Sequence, residues 1–326
     1  MEYRLSAVAA ATIALIFATT SEAAYSAPQP KGEIQTVEYT WHDAKRNRDV
    51  PVKIYYPSSG NGPFPFVIFS HGLGGSREGY DYFGNYLAGC GYVSVHVQHA
   101  GSDDSIWRGK PLTDLRDEMQ SVARTPESAR NRPQDVSFAI DQMIALNLHP
   151  GNPFNKRLDL YRIAVAGHSF GAWTTLTIAG EEVAGKSLAD PRVKAAIAMS
   201  APVNFPQRQN GSAFSAINIP VLHLTGTRDE GAISDTTAAD RRVPFDNARR
   251  VPAFLVIFNG ADHMTFARHL RQGATASDEK LHELIAKTSV AFLDAYLRND
   301  SGAKQWLVGD GVNQLLGDSA TIEKKP

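Results

Sequence analysis

The feature that most constrains this chain of 326 residues is a pentapeptide set between two patterned segments. The apolar run 163–166 leads into Gly167-His168-Ser169-Phe170-Gly171, and a helical pattern, 172–179, follows. The order strand, G-x-S-x-G, helix predicts a turn so tight that the serine takes a strained backbone conformation. The residues two before and two after it must lack a side chain, because a Cβ there would strike neighbouring elements. The serine hydroxyl then stands above the sheet, and the Phe170 amide at the helix start points to the same place. A tight turn without chemistry is the bland alternative, and the flanking strand and helix weigh against it.

The rest of the chain supplies what such a turn needs. Apolar, β-rich runs are predicted as strands at 34–39, 50–56, 64–70, 92–98, 163–166, 195–199, 221–225 and 253–258. The later ones are short and continuously apolar, the pattern of strands buried on both faces. Helical patterns alternate with them at 80–88, 134–147, 172–179 and 278–297. Strand–helix alternation predicts an α/β fold with a mainly parallel eight-stranded sheet and helices on both faces. The first two runs, joined by a polar loop, predict an antiparallel hairpin at the sheet's start. Residues 34–326 read as one domain, and the stretch 100–132, long, polar and charged, as a partial lid or a surface segment.

The N-terminus is separate. A short charged start, an Ala-rich apolar run to about Ala18 and small residues around Ser21-Glu22-Ala23 predict a signal peptide over 1–23, with Ala27 an alternative cut. The run is too short to span a bilayer comfortably, which takes roughly 20 apolar residues. Removal leaves no membrane span, a leader over 24–33 and a secreted or periplasmic protein. The processed chain is formally neutral, which gives no electrostatic argument for nucleic acid or an acidic membrane. Arg241-Arg242 reads as an isolated pair on a solvated helix face. The single cysteine, Cys90, cannot form an intramolecular disulfide and reads as a buried, inert thiol.

Active sites of open parallel sheets form at the carboxyl ends of the strands. The strand at 64–70 runs into His71-Gly72-Leu73-Gly74-Gly75, a loop whose glycines let backbone amides approach a substrate oxygen. The Leu73 amide is the predicted second oxyanion donor beside that of Phe170. A serine hydroxyl needs a base, and the base an orienting acid. Two later strand ends fit: Gly226-Thr227-Arg228-Asp229-Glu230 and Asn259-Gly260-Ala261-Asp262-His263. They give the order Ser169, Asp229, His263, with Glu230 and Asp262 as alternative acids. His71, His168, Trp107 and Met264 are candidates for the substrate pocket, His71 also as a loop-fixing residue. His96 and His99 with Asp103-Asp104 have metal-ligand residue types, but on a strand the two histidines would face opposite sides, so no metal site is expected.

These motifs together resemble the dienelactone hydrolase-like branch of α/β-hydrolases, over about residues 34–298. Within it the chain is similar to platelet-activating factor acetylhydrolase and bacterial polyester hydrolase relatives, with chlorophyllase-type esterases nearby. It departs from them in places. Dienelactone hydrolase proper uses cysteine where Ser169 stands; polyester hydrolases commonly carry disulfides near the base and an aromatic where Leu73 stands. The resemblance implies a serine-dependent carboxylic ester hydrolase, working without a cofactor through an acyl-enzyme on Ser169 and acting on a small-molecule ester. An amidase, peptidase or acyltransferase would use the same triad. A non-catalytic binding protein on the same scaffold would usually have lost a triad member.

Overall fold

The computed structural model describes residues 25–110, 115–203, 208, 211–267 and 276–326. The segment expected to be a signal peptide, 1–23, lies outside the described residues. Strands β1 (Ile34–Asp43), β2 (Arg48–Pro57), β3 (Phe64–Ser70), β4 (Val93–Val97), β5 (Leu158–His168), β8 (Val193–Met199), β9 (Val221–Arg228), β10 (Ala253–Asp262) and β11 (Ala320–Lys325) form one sheet. A small hairpin, β6 (Glu182–Val183) and β7 (Lys186–Ser187), stands apart. The order across the sheet is β1-β2-β4-β3-β5-β8-β9-β10-β11. All pairs from β4 to β10 are parallel, and the β1–β2 hairpin is antiparallel, as expected.

Strand alternation builds the two layers around this sheet. On β3, Val67 and Phe69 point to one face and pack with Phe83 and Leu87 of α1 (Asp81–Gly89) and with Leu284, Ile285 and Phe292 of α6 (Ala276–Tyr296). Phe66 and Ile68 point to the other face, against Val136, Ile140 and Met143 of α3 (Pro126–Leu148) and Leu176 of α4 (Phe170–Ala179). After β3 the chain goes out to β4, then returns past β3 to β5. This reversal opens a crevice at the carboxyl ends of β3 and β5, where an α/β sheet places its site.

The structure exceeds the expectation in three places. The sheet has a ninth strand: β11 pairs antiparallel with β10, from Ala253 opposite Lys325 to Phe258 opposite Ala320. Its sequence, Ala-Thr-Ile-Glu-Lys-Lys, lacks an apolar run because an edge strand is solvated along one flank. It is reached through α7 (Ser301–Val308) and α8 (Gly311–Leu316), also unread in the sequence. Helix α3 begins at Pro126, capped by Thr125, whose hydroxyl accepts the Ser128 amide at 3.1 Å, and runs through Pro133 rather than starting after it. Among the described residues no helix is long and apolar enough to cross a membrane.

The leader is part of the body. Tyr25 donates its hydroxyl to Asp294 at 2.8 Å and packs edge-on against Trp306, 5.7 Å between ring centres. Pro28 accepts the Tyr86 hydroxyl at 2.7 Å, and the Lys31 amide donates to the Gly89 carbonyl at 2.8 Å. Tyr25→Ala is expected to cost about 1–2 kcal/mol of stability through the lost hydrogen bond and ring contact. Thermal unfolding should move down by a few degrees with catalytic rate unchanged; an unmoved transition would show the leader to be undocked.

Candidate active site

The serine turn is fixed by contact. A Cβ on Gly167 would lie 2.4 Å from the Gly171 carbonyl oxygen, and one on Gly171 only 1.8 Å from the Ser70 carbonyl oxygen. The end of β5 and the start of α4 are thus pressed onto the end of β3. Ser169 between them has φ 54° and ψ −118°, a conformation held only because both flanks are pinned. Its amide donates to Met199 O at 2.9 Å, and its carbonyl accepts the Trp173 amide at 3.1 Å.

His263 follows β10 in a short turn, 263–266, which Asp262 caps by accepting the Thr265 amide at 2.9 Å. That use of Asp262 removes it as an alternative acid, and Glu230 is exposed to solvent. His263 Nε2 lies 2.9 Å from Ser169 Oγ, while its Nδ1 faces Asp229 Oδ1 at 3.0 Å. Asp229 is fully buried just past β9. It accepts the hydroxyls of Ser200 at 2.7 Å and Thr225 at 2.8 Å. Burial would raise its pKa, but the His263 hydrogen bond, the Arg241 charge and Ser200 outweigh this and hold it down to about 2. The group is therefore an anion at neutral pH and keeps the imidazole proton on Nδ1.

Ser200 and Arg241 were not read from the sequence. Ser200 Oγ is 2.7 Å from His263 Nδ1 as well as from Asp229. Arg241, expected on a solvated face, is 3% exposed. It donates through Nε to the Asp229 carbonyl at 3.1 Å and through Nη1 to the Ser200 carbonyl at 3.0 Å. Its Nη2 lies 3.2 Å from Asp229 Oδ1. Arg242 next to it, just before the short helix α5 (Val243–Asn247), is the solvated one, paired with Asp246 and Glu323. In a tight turn adjacent residues point in different directions, so a pair of like residues in sequence need not share an environment.

The two residues expected to supply oxyanion donors line the same cleft. Phe170 is the first residue of α4, so its amide has no partner in the helix. In the loop 71–75 the Gly74 amide donates to Ser102 O at 3.0 Å and that of Gly75 to Gly72 O at 3.0 Å. Among the described residues the Leu73 amide donates no such bond. Leu73 and Phe170 line a cleft of about 110 Å³ with Ser169, His263 and Arg241. The far wall is Trp173, Pro202 and the loop at 231–235, and α2 (Leu115–Arg124) roofs it. Gln120 of α2 donates to Ile233 O at 2.7 Å across the opening.

The four pocket candidates lie elsewhere. His71 is buried, bonded at Nδ1 to Gly72 O (2.6 Å) and accepting the His99 amide at Nε2 (3.1 Å), a loop-fixing role. His168 is buried between the Tyr80 hydroxyl, 2.8 Å from Nδ1, and the His263 carbonyl, 3.0 Å from Nε2. Trp107 donates to Gly74 O at 2.6 Å and borders a separate cavity beside the loop 71–75. Met264 packs half-buried on the apolar cluster of α1 and α6. His96 and His99 are spent on other contacts: His96 stacks on Phe69, and His99 lies between Asp135 (3.0 Å) and Ser70 (2.9 Å). Burial pushes the Cys90 thiol up to about 12, so it stays protonated.

A mostly parallel sheet between helices, with a serine at a strained strand-to-helix turn and a carboxylate and a histidine from later strand ends, defines the α/β-hydrolase class. Within that class the chain belongs to the PET hydrolase-like family, whose profile matches residues 118–324. Residues 28–126 match the profile of platelet-activating factor acetylhydrolase, isoform II. The chain is similar to platelet-activating factor acetylhydrolase of Cavia porcellus, 25% identical over 305 residues, covering 82% of this chain and 66% of that protein. It resembles the protein of the same name from Canis lupus familiaris at 27% over 314 residues, with 82% and 66% covered. Cutinase 1 of Thermobifida cellulosilytica is 25% identical over 269 residues, 81% of this chain and 80% of that protein. The chain thus spans 66% of the length of these two acetylhydrolases.

Burial around the site also sets its response to acid. Desolvation lowers His96 and His99 to about 4 and His223 to about 3, and holds His71 and His168 well below their usual value. In the unfolded chain each takes a proton near pH 6.5. Their folded pKa values are depressed, so the stability they contribute is present above pH 6.5 and is lost as pH falls toward 4. Each should lower stability by on the order of 1 kcal/mol per pH unit in that window. Denaturant unfolding at pH 7, 6 and 5 should show a steep fall; a flat profile would contradict the neutral, buried assignment.

Proposed function

We propose that the chain is an exported serine esterase that cleaves small, soluble carboxylic esters through an acyl-enzyme on Ser169. The observation that carries this reading is the continuous relay from Ser169 Oγ through His263 to the buried Asp229 anion, opening beside the Leu73 and Phe170 amides. The carbonyl oxygen of the ester lies against those two amides. Ser169 Oγ attacks the carbonyl carbon while His263 Nε2 takes its proton, and Asp229 stabilises the imidazolium. His263 then protonates the leaving alcohol, and water repeats the sequence to free the acid. Each amide contributes roughly 3 kcal/mol to the charged intermediate. This chemistry calls for no cofactor. Relatives named acetylhydrolase and cutinase support ester rather than amide bonds as the target.

The size of the cleft and its roof favour a short acyl group over a polymer. Helix α2 acts as the partial lid within 100–132, whereas Ser102 and Trp107 of the same stretch clamp the oxyanion loop. Export rests on the signal-peptide pattern of residues 1–23.

Hydrolysis of p-nitrophenyl esters from acetyl to palmitoyl, with Ser169→Ala beside the wild type, tests the reading. The expected profile peaks at acetyl to butyryl, and Ser169→Ala should lower kcat by roughly 10⁴-fold or more. Full turnover by the alanine variant would sink the assignment. Fluorophosphonate labelling without ester turnover would move the substrate to amides or acyl transfer. Gln120→Ala, which unties α2 from Ile233, should raise activity on the octanoyl relative to the acetyl ester; an unchanged ratio would show that α2 is no lid.

A further inference from the structure

Arg132 is the largest fully buried side chain of the described residues, and the relay just described makes no use of it. Among the described residues no carboxylate pairs with its guanidinium directly. The acid whose charge favours it most, Asp135, is engaged by Arg46 at 2.7 Å, Arg48 at 2.9 Å and His99 at 3.0 Å. A buried cation without its own counter-ion is costly, by several kcal/mol before compensation. Desolvation first of all lowers its pKa, to about 9, so it remains a cation at neutral pH.

Its donors converge on the segments that hold the two oxyanion amides. Nη2 donates to the carbonyl of His71, two residues before Leu73, and to Ser70 Oγ at 3.1 Å. Nη1 donates to Ser102 Oγ at 2.8 Å, and the Ser102 carbonyl holds the Gly74 amide just after Leu73. Nε donates at 3.1 Å to Thr174 Oγ1, which in turn donates to the Phe170 carbonyl at 3.0 Å. The guanidinium plane also covers the Phe170 ring, 4.6 Å from its centre. One side chain thus ties the loop bearing the Leu73 amide to the helix turn bearing the Phe170 amide.

We propose that Arg132 is a positioning residue for the oxyanion hole, fixing the relative placement of the Leu73 and Phe170 amides and adding positive charge behind them. The inference rests on the serine-esterase reading. Preorganised donors lower the barrier because they need no reorientation as charge develops, and a fixed buried cation favours the oxyanion over the neutral carbonyl. Its effect therefore belongs to the tetrahedral state and not to ester binding.

The test compares wild type, Arg132→Met and Arg132→Lys in p-nitrophenyl acetate hydrolysis and in inhibition by n-butylboronic acid. Boron accepts a lone pair from Ser169 Oγ while His263 takes the hydroxyl proton, giving a tetrahedral anion. For Arg132→Met, kcat should fall by about 10²-fold, the scale of one oxyanion donor. KM should stay nearly constant, and boronate affinity should fall in parallel with kcat. Arg132→Lys, which keeps the charge but not the fork, should lie between. A folded Arg132→Met with wild-type kcat, or a loss of kcat without loss of boronate affinity, overturns the inference. If Arg132→Met does not fold, the double variant Ser102→Ala/Thr174→Val decides. It should lower kcat and boronate affinity together, and unchanged values overturn the proposal. Failure of the wild type to label with fluorophosphonate sinks the serine-esterase reading and this inference with it; a labelled, active wild type confines any failure to Arg132.

Discussion

Everything at this site depends on how closely α4 approaches β3. With no room between Gly171 and the Ser70 carbonyl for even a methyl group, the helix start, the end of β5 and the loop after β3 occupy one small volume. The strained Ser169 backbone and the way Ser169, Leu73 and Phe170 come to line one cleft follow from that approach. The sheet supplies the rigidity, because β3 and β5 are central parallel strands packed on both faces. Strain of this kind persists only where the surroundings over-determine it.

Around that contact the protein spends its buried polar groups in two sets. One, Asp229 with Ser200, Thr225 and Arg241, keeps a carboxylate ionised and immobile behind the imidazole. The other, Arg132 with Ser70, His71, Ser102 and Thr174, ties together the segments that carry the amides. One neutral histidine, His168, links the sets: the Gly72 amide donates to the Tyr80 hydroxyl, which faces His168 Nδ1, while His168 Nε2 faces the His263 carbonyl. In a dry interior a polar group left unpaired is expensive, so such networks hold a single geometry.

The residues read as doing the chemistry were legible because their positions follow from local rules. A strand, a glycine-flanked serine and a helix in sequence leave one place for Ser169, and strand ends announced Asp229 and His263. The expected mostly parallel sheet was equally visible, since doubly buried strands are continuously apolar. What escaped was set by tertiary context. Arg241 sits in a basic pair that looks solvated, and Arg132 lies beside a proline in a polar stretch; only the packed structure shows either as buried. The pocket candidates failed for a related reason: His168 lies within the serine turn and His71 opens the 71–75 loop, but their rings turn inward to hold those turns. Strand β11 was invisible because an edge strand needs little apolar patterning.

That last strand has a consequence for how the molecule is made. Strand β10 carries His263 at its end, with β9 on one flank and β11 on the other. During synthesis from the N-terminus, β10 emerges with one row of backbone groups bare until residues 320–325 have followed through α6, α7 and α8. The nascent chain thus holds an open template for mispairing, and the bed of His263 is completed by β11. Maturation of the site is tied to the arrival of a segment that contributes no atom to it.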